Sequence, residues 1–203
     1  MQIPILFGII IIIVVWLQYE IKKSKKHSNK SQENFWKLES QSNLIKRIDI
    51  SNLEYIAIWP EHLPMSDHED STVNSYRDII LKLSDKKILN LTGQTNTELK
   101  LQYGTANFNL LSEYDNNYTS LVSILQKWGE RLYLLGSVTD AVTVLEFAVS
   151  CNSDVSKSYK LLATIYMEQK TPEKIDELIH ILSNIKMLRK DIIIEELLKI
   201  KSP

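Results

Sequence analysis

The apolar residues between Asn107 and Leu135 recur at intervals of three and four positions, and this spacing constrains the fold more than any other feature. The series consists of Leu111, Tyr114, Tyr118, Leu121, Leu125, Trp128, Leu132 and Leu135. Because an α-helix turns once in about 3.6 residues, this spacing places all of these side chains on one face. The sequence therefore predicts a helix of roughly seven turns, with Gly136 as its break.

Helical patterns also cover most of the chain from Val73 onward. The capping box Thr95-x-x-Glu98 begins one predicted helix, and Thr171 followed by Pro172 begins another. The predicted helices, apart from the long one, cover residues 73–83, 95–104, 139–150, 157–169, 172–188 and 189–201. Links of about two to eight residues favour packing of neighbouring helices as an antiparallel series. The predicted fold class is therefore all-α.

The residues before Val73 are less regular. Residues 22–34 are polar throughout and predict a basic, flexible tether. Within residues 35–72 we expect a short amphipathic helix ending near Asn43, an extended segment at residues 53–59, and an acidic loop after it. The sequence leaves open whether residues 44–72 form a strand.

A second feature is the N-terminal run of residues 3–17, which contains no charged side chain. As a helix, residues 1–19 would extend about 28 Å, which is close to the roughly 30 Å thickness of a hydrocarbon core. Trp16 and Tyr19 stand where interfacial aromatic residues are common. The sequence therefore predicts a single transmembrane anchor over residues 1–21 that contacts the lipid bilayer through residues 3–19.

A lysine cluster after this run gives the predicted anchor a direction. It consists of Lys22, Lys23, Lys25, Lys26 and Lys30. Because such residues stay on the cytoplasmic side, we expect a cell-membrane protein with its N-terminus outside and its C-terminal domain in the cytoplasm. The cluster is a topology signal and a candidate contact for anionic headgroups at the membrane surface.

The alternative interpretation is an exported or extracytoplasmic-facing helical protein, in which the apolar run is a signal or an outward anchor. A cleavable signal peptide has basic residues before its apolar region and a small-residue cleavage site after it. The chain has no Lys or Arg before Lys22, and no small-residue pair lies near residues 17–20. These absences favour the uncleaved anchor.

Composition limits the classes of partner and chemistry. The chain has 24 basic and 25 acidic residues, so nucleic acid is not an expected partner. Cys151 is the single cysteine, which excludes an internal disulfide. The five glycines form no phosphate-binding loop, and the chain has neither a cysteine pair nor an HExxH motif for zinc.

Two weaker chemical possibilities remain. The loop residues His62, Asp67, His68, Glu69 and Asp70 carry metal-ligand side chains within nine positions, so a metal-dependent enzyme is a remote alternative. Cys151 as a nucleophile would need a histidine within reach, and His180 is the candidate from the helical series. A solvated loop and a structural cysteine are the favoured interpretations of these residues. We therefore predict no catalytic, cofactor-binding or metal site, no enzyme activity and no small-molecule substrate.

The C-terminal helices contain a period of 34 residues. Leu125, Trp128, Gly129, Leu132, Ala141, Leu145 and Ala148 recur 34 positions later as Tyr159, Leu162, Ala163, Tyr166, Ile175, Ile179 and Leu182. This pattern resembles a pair of tetratricopeptide repeats (TPRs), in which small residues let the two helices of a unit approach and a glycine ends the first helix. The second unit departs from it, because Lys170 replaces the glycine, and Ile175 and Leu182 replace the alanines.

The resemblance implies an antiparallel array of helical hairpins over residues 122–203, with residues 73–121 as the helical N-terminal part and residues 189–201 as a capping helix. It also implies a scaffold or adaptor that binds an unidentified protein or peptide segment through the first helix of each unit. The candidate partner-binding residues are Asn117, Ser120, Lys127, Arg131, Lys157 and Tyr159. We expect binding at the cytoplasmic face, without catalysis.

Overall fold

The structure, a computed structural model, describes residues 16–23, 32–33, 36–42, 48–185 and 190–202. It divides into two compact units, one made of residues 1–48 and 96–106, and one of residues 49–95 and 107–203. The regular elements of the described residues are all helical, and none is a strand. The predicted all-α class is therefore confirmed.

The prediction of an N-terminal transmembrane helix is wrong. Among the described residues, no helix combines the length and the apolar character needed to cross a membrane. The described part of the predicted anchor, residues 16–23, is helical and includes Glu20, Lys22 and Lys23. A span needs about 20 apolar residues. Residues 1–15 of the predicted anchor lie outside the described residues.

The predicted basic tether and lysine cluster are described only in part. Lys22 and Lys23 lie in the helix at residues 16–23, where both are exposed. Lys25, Lys26 and Lys30 lie outside the described residues. The membrane-surface role of the cluster stays a prediction.

The helices with defined ends are numbered in chain order. They are α1 (Ser71–Ser84), α2 (Asn96–Tyr103), α3 (Phe108–Leu134), α4 (Val138–Ser150), α5 (Ser156–Glu168), α6 (Glu173–Asn184) and α7 (Lys190–Lys201). Short 3-10 turns occupy Pro60–His62 and Thr105–Asn107. The long helix predicted from the apolar spacing is thus confirmed as α3 to within a residue at each end.

In the first unit, the helical residues 36–42 are joined to α2 by polar contacts. Glu39 accepts a hydrogen bond from Thr97 Oγ1 at 2.8 Å and forms an ion pair with Lys100. The hydrogen bond from Lys100 lowers the pKa of the Glu39 carboxyl. Thr105 Oγ1 then donates to the carbonyl oxygen of Ser42 at 3.0 Å. These contacts hold the predicted amphipathic segment as a helix against α2.

In the second unit, α3 is the central helix, and it packs against α1, α4 and α5. Helix α5 contacts α4, α6 and α7, and α7 also contacts α6. The helices therefore form two layers, α3–α5–α7 and α4–α6, with the core between them. The largest fully buried side chains are Trp128, Tyr118, Tyr159, Ile80, Ile88, Leu111, Leu121, Leu125, Leu132, Leu145, Leu162 and Ile165.

The helix ends in this unit repeat at the 34-residue interval of the sequence. Leu134 ends α3 and Glu168 ends α5, and Ser150 ends α4 and Asn184 ends α6, so both pairs lie 34 positions apart. Of the seven side chains that the period placed in the second unit, all are buried except Ile179, which is partly buried. The same positions therefore fill the core in both hairpins.

Three successive helices end in the same hydrogen-bonded turn. Gly136, Asn152 and Lys170 have positive φ angles of 82°, 55° and 59°. In each turn the N–H of this residue and the N–H of the next one bond to carbonyls in the last turn of the helix, as in the Schellman motif. The departure of Lys170 from glycine therefore leaves the turn intact, with a lysine in a conformation that glycine adopts more readily.

Gly129 permits the close approach of α3 and α4. A Cβ atom on this residue would lie 2.6 Å from Cγ of Leu145 and 2.7 Å from its Cδ2. Because Leu145 is fully buried, it has little space into which to move. The small residue that the period placed at this position is thus required by contact between the helices.

Of two further predicted segments, one helix ends earlier than predicted and one extended segment forms no strand. The helix predicted over residues 172–188 ends at Asn184, because Ile185 is extended, with ψ of 141°. Residues 186–189 lie outside the described residues. Residues 48–59 form no strand, and Ile56 N–H donates to the carbonyl of Ile88 at 2.9 Å. The extended segment therefore joins the second unit without a sheet.

Candidate functional site

The six predicted partner-binding residues fall into three groups. Ser120, Lys127 and Lys157 are exposed, whereas Asn117 and Tyr159 are buried. Arg131 is intermediate, with 40% of its side chain exposed. The sequence period located the helices but did not determine the direction of each polar side chain.

Asn117 and Tyr159 have structural contacts instead of exposed surfaces. Asn117 Nδ2 donates to the carbonyl of Lys87 at 3.0 Å, which joins α3 to the segment after α1. Tyr159 has no exposed area, and its hydroxyl donates to the carbonyl of Ser153 at 2.8 Å. Both side chains satisfy buried backbone carbonyls, so neither is available to a partner.

A second tyrosine holds the same turn between α4 and α5. Tyr118 Oη donates to the carbonyl of Asn152 at 2.7 Å, and Asn90 Nδ2 lies 3.4 Å from that carbonyl. Burial raises the pKa of the Tyr118 and Tyr159 hydroxyls, and the negative charge of Asp154 adds to the effect. These phenols therefore stay protonated and act as hydrogen-bond donors.

The exposed candidates lie on the outer side of the α3–α5–α7 layer. Ser120 and Lys127 are seven residues apart on α3 and therefore share one side of that helix. Lys157 lies in the first turn of α5, which packs beside α3. Both helices contact α4, so their exposed sides face away from it. The exposed residues Ser120, Lys127 and Lys157 together define the α3–α5 surface.

Lys127 and Lys157 differ from four other lysines of the C-terminal helices, although Lys82, Lys86 and Lys170 also form no ion pair in the described structure. Lysines of α5, α6 and α7 form ion pairs with carboxylates, namely Lys160 with Glu196, Lys174 with Glu146, Lys199 with Glu195, and Lys201 with Asp176. Within the residues that the structure describes, neither Lys127 nor Lys157 has an ion-pair partner.

The nearby glutamates are engaged elsewhere. Glu130 accepts from Gln126 Nε2 at 2.7 Å, and Glu168 accepts from Tyr133 Oη at 2.7 Å. Neither glutamate forms an ion pair with Lys127 or Lys157 in the described structure. The α3–α5 surface therefore presents two ammonium groups that have no ion-pair partner in the described structure.

Arg131 is held by Asp70, which precedes α1. Asp70 Oδ2 forms an ion pair with Arg131 Nη2, and Oδ1 accepts the N–H groups of Thr72 and Val73 at 3.0 Å each. The hydrogen bond from Arg131 is the main cause that lowers the pKa of Asp70 to about 2. Asp70 therefore caps α1 and connects it to α3. The sequence Asp70-Ser-Thr before an apolar residue is an N-cap pattern that identifies the first role.

Three side chains of the acidic loop, Asp67, His68 and Asp70, are held by contacts within the chain. Asp67 pairs with Arg77, and His68 Nδ1 accepts the N–H of Asp70 at 2.9 Å. A neutral imidazole that accepts at Nδ1 carries its proton on Nε2, which then has no lone pair for a metal. Among the described residues, no group of His, Cys, Asp and Glu side chains is placed to hold a metal ion.

This loop lines a cavity of about 550 Å³, together with Leu135 at the end of α3. Asn74 of α1 fixes the loop, because its Oδ1 accepts the N–H of His68 and its Nδ2 donates to the carbonyl of His68. The polar contacts therefore orient the loop toward α1.

Cys151 is buried in the core and has a raised pKa of about 12, with burial as the main cause. His180, the histidine considered as its base, is exposed on α6. A thiol with this pKa stays protonated at neutral pH and is a poor nucleophile. The arrangement is that of a structural cysteine.

No protein-family model matches the chain. Comparisons with curated proteins and with solved structures find no match either. The geometry of the chain itself is therefore the basis for a functional proposal.

Proposed function

We propose that the second unit is a TPR-like protein-interaction module, and that it binds an acidic segment of a partner protein on the α3–α5 surface. The two layers of helices supply a rigid support, because α3 and α5 are fixed by a continuous buried core. The 34-residue interval between helix ends supports the likeness to TPRs. Binding residues on rigid elements lose little conformational freedom when a partner docks.

The observation that carries the proposal is the state of Lys127 and Lys157. Both are exposed and lack an ion-pair partner in the described structure, whereas four other lysines of the helical series are paired. Charge complementarity increases association rates and selects among partners, even where each exposed pair adds little affinity. A partner segment with two carboxylates, spaced to reach Lys127 on α3 and Lys157 on α5, would form ion pairs with both lysines.

Selection from random short peptides, displayed and bound to the intact 203-residue chain, tests this function. We expect enrichment of Asp and Glu, and weaker binding of the selected peptides to the Lys127→Glu, Lys157→Glu double variant. Two exposed pairs at about 0.2–1 kcal/mol each correspond to about a 2- to 30-fold loss of affinity.

The matched control is Lys82→Glu with Lys86→Glu, which changes the same charge on exposed lysines at the end of α1 and after it. We expect this control to bind as the unchanged chain does, apart from a small effect of net charge. If the selected peptides carry no excess of acidic residues, the proposed function is rejected. Equal losses in the two double variants would reject it as well.

A further inference from the structure

Arg131 places a third cation next to the α3–α5 surface. It lies one helical turn beyond Lys127, on the same side of α3. Its charge is balanced within the chain by Asp70, while 40% of its side chain remains exposed. The surface therefore has two unpaired cations and a third that an internal carboxylate holds.

The ion pair satisfies only part of the Arg131 guanidinium. The two carboxylate oxygens of Asp70 have different partners. Oδ1 accepts hydrogen bonds from the first turn of α1, and Oδ2 accepts one from Arg131 Nη2. Arg131 Nε is buried and has no hydrogen-bond partner in the described part of the chain. A carboxylate that offers both oxygens matches a guanidinium better than one that offers a single oxygen.

We propose that Asp70 is an internal competitor for Arg131, which keeps this arginine out of the α3–α5 surface until a carboxylate of the bound segment displaces it. The inference rests on the proposed function, because it adds a third residue to the same surface. Asp70 Oδ1 still caps α1 after displacement, so that release of Arg131 does not require α1 to unfold. Because Asp70 competes for Arg131, binding depends on a partner that has one carboxylate positioned for Arg131 and another positioned for Lys127.

The variant Asp70→Asn isolates this contact. Asparagine is as good an N-cap as aspartate, so the cap of α1 is retained while the ion pair is lost. Glu69→Gln is the matched control, because Glu69 is exposed, adjacent to Asp70, and forms no ion pair in the described structure. Both variants remove one negative charge from the same loop.

Fluorescence anisotropy with a glutamate-rich peptide, and a glutamine-rich peptide as reference, measures the effect on the intact chain. We expect Asp70→Asn to tighten binding of the glutamate-rich peptide about 3-fold, the size of one exposed ion pair. The gain disappears when Arg131→Gln is combined with it. The inference is overturned if Glu69→Gln tightens binding equally, or if the gain persists without Arg131.

A second measurement does not depend on peptide binding. The side-chain ¹⁵N–¹H signal of Arg131 Nε is followed during titration with glutarate, a small dicarboxylate. We expect this signal to respond at lower glutarate concentration in Asp70→Asn than in the unchanged chain. Equal responses overturn the competitor role, whatever the peptide result. If the peptide binds neither the unchanged chain nor any variant while the glutarate responses differ, the proposed function is rejected. The competition of Asp70 for Arg131 is then still supported by the glutarate titration.

Discussion

The contact between Gly129 and Leu145 gives a sharp test of how α3 and α4 pack. In Gly129→Ala, the new Cβ would lie 2.6 Å from Leu145 Cγ, so the buried leucine or one of the helices must move. Overpacking of this kind costs about 1–3 kcal/mol of unfolding free energy. Alanine gains about 1 kcal/mol over glycine within a helix. The two effects leave an expected net loss of about 1 kcal/mol, provided that the contact cannot relax.

Urea denaturation followed by circular dichroism measures this loss. The control is Ser120, an exposed position of the same helix, where the difference between the Ala and Gly variants gives the propensity gain of α3 without a packing effect. Subtracting that difference from the result at Gly129 isolates the steric cost. The reasoning is refuted if Gly129→Ala stabilises the chain by as much as the Ser120→Ala variant exceeds the Ser120→Gly variant in stability.

A double-variant cycle assigns the cost to the leucine. Leu145→Ala alone removes a fully buried side chain and should cost about 2–5 kcal/mol. In the double variant with Gly129→Ala, the added methyl group no longer meets the branched end of Leu145. The loss of unfolding free energy in the double variant should therefore be smaller than the sum of the two single losses. We expect a coupling energy of at least about 0.5 kcal/mol, the level at which contacting residues depart from additivity. Additive losses would place the strain elsewhere.

Three further outcomes follow from other contacts. Tyr159→Phe should destabilise the chain by about 1–2 kcal/mol. The loss should be larger than that of Tyr118→Phe, because Asn90 Nδ2 also approaches the Asn152 carbonyl that Tyr118 binds. Similar urea midpoints of the two variants would contradict this. Because the pKa of Asp70 is lowered to about 2, its contribution to stability is complete above the unfolded pKa of about 3.9 and is lost as pH falls through 2. The stability difference between Asp70→Asn and the unchanged chain should therefore shrink over that interval, and a constant difference would argue against the ion pair. Lys170→Gly, at φ of 59°, should raise stability by about 0.5–1 kcal/mol, whereas Gly136→Ala should lower it by a similar amount in thermal unfolding.

The extent of prediction from sequence differed between the helices and the binding surface. The ends of α3 were predictable because apolar spacing and Gly136 are local signals. The buried role of Asn117 was not predictable, since it depends on a carbonyl of another segment, whereas Tyr159 occupies the position that the 34-residue period matches with buried Leu125. Exposure of Lys127 and Lys157 was compatible with the sequence, but the absence of a counter-ion depended on which acidic side chains came near.

The N-terminal segment shows where composition alone misled. An apolar run with following lysines predicted a transmembrane helix, whereas no described helix has the length and apolar character of a span. The described end of that segment, residues 16–23, is helical and includes the charged residues Glu20, Lys22 and Lys23. A hydropathy pattern counts apolar residues and does not by itself establish a membrane-spanning helix.

The sequence by itself determined the all-α class, the positions of the helices from Ser71 onward and the 34-residue interval between their ends, because helix periodicity, caps and breaks are written in nearby residues. Only the tertiary structure decided that Asp70 holds Arg131, and that Gly129 meets Leu145. These contacts join residues that are far apart in the chain. Their partners are therefore set by the packing of the helices against one another, which no local pattern specifies.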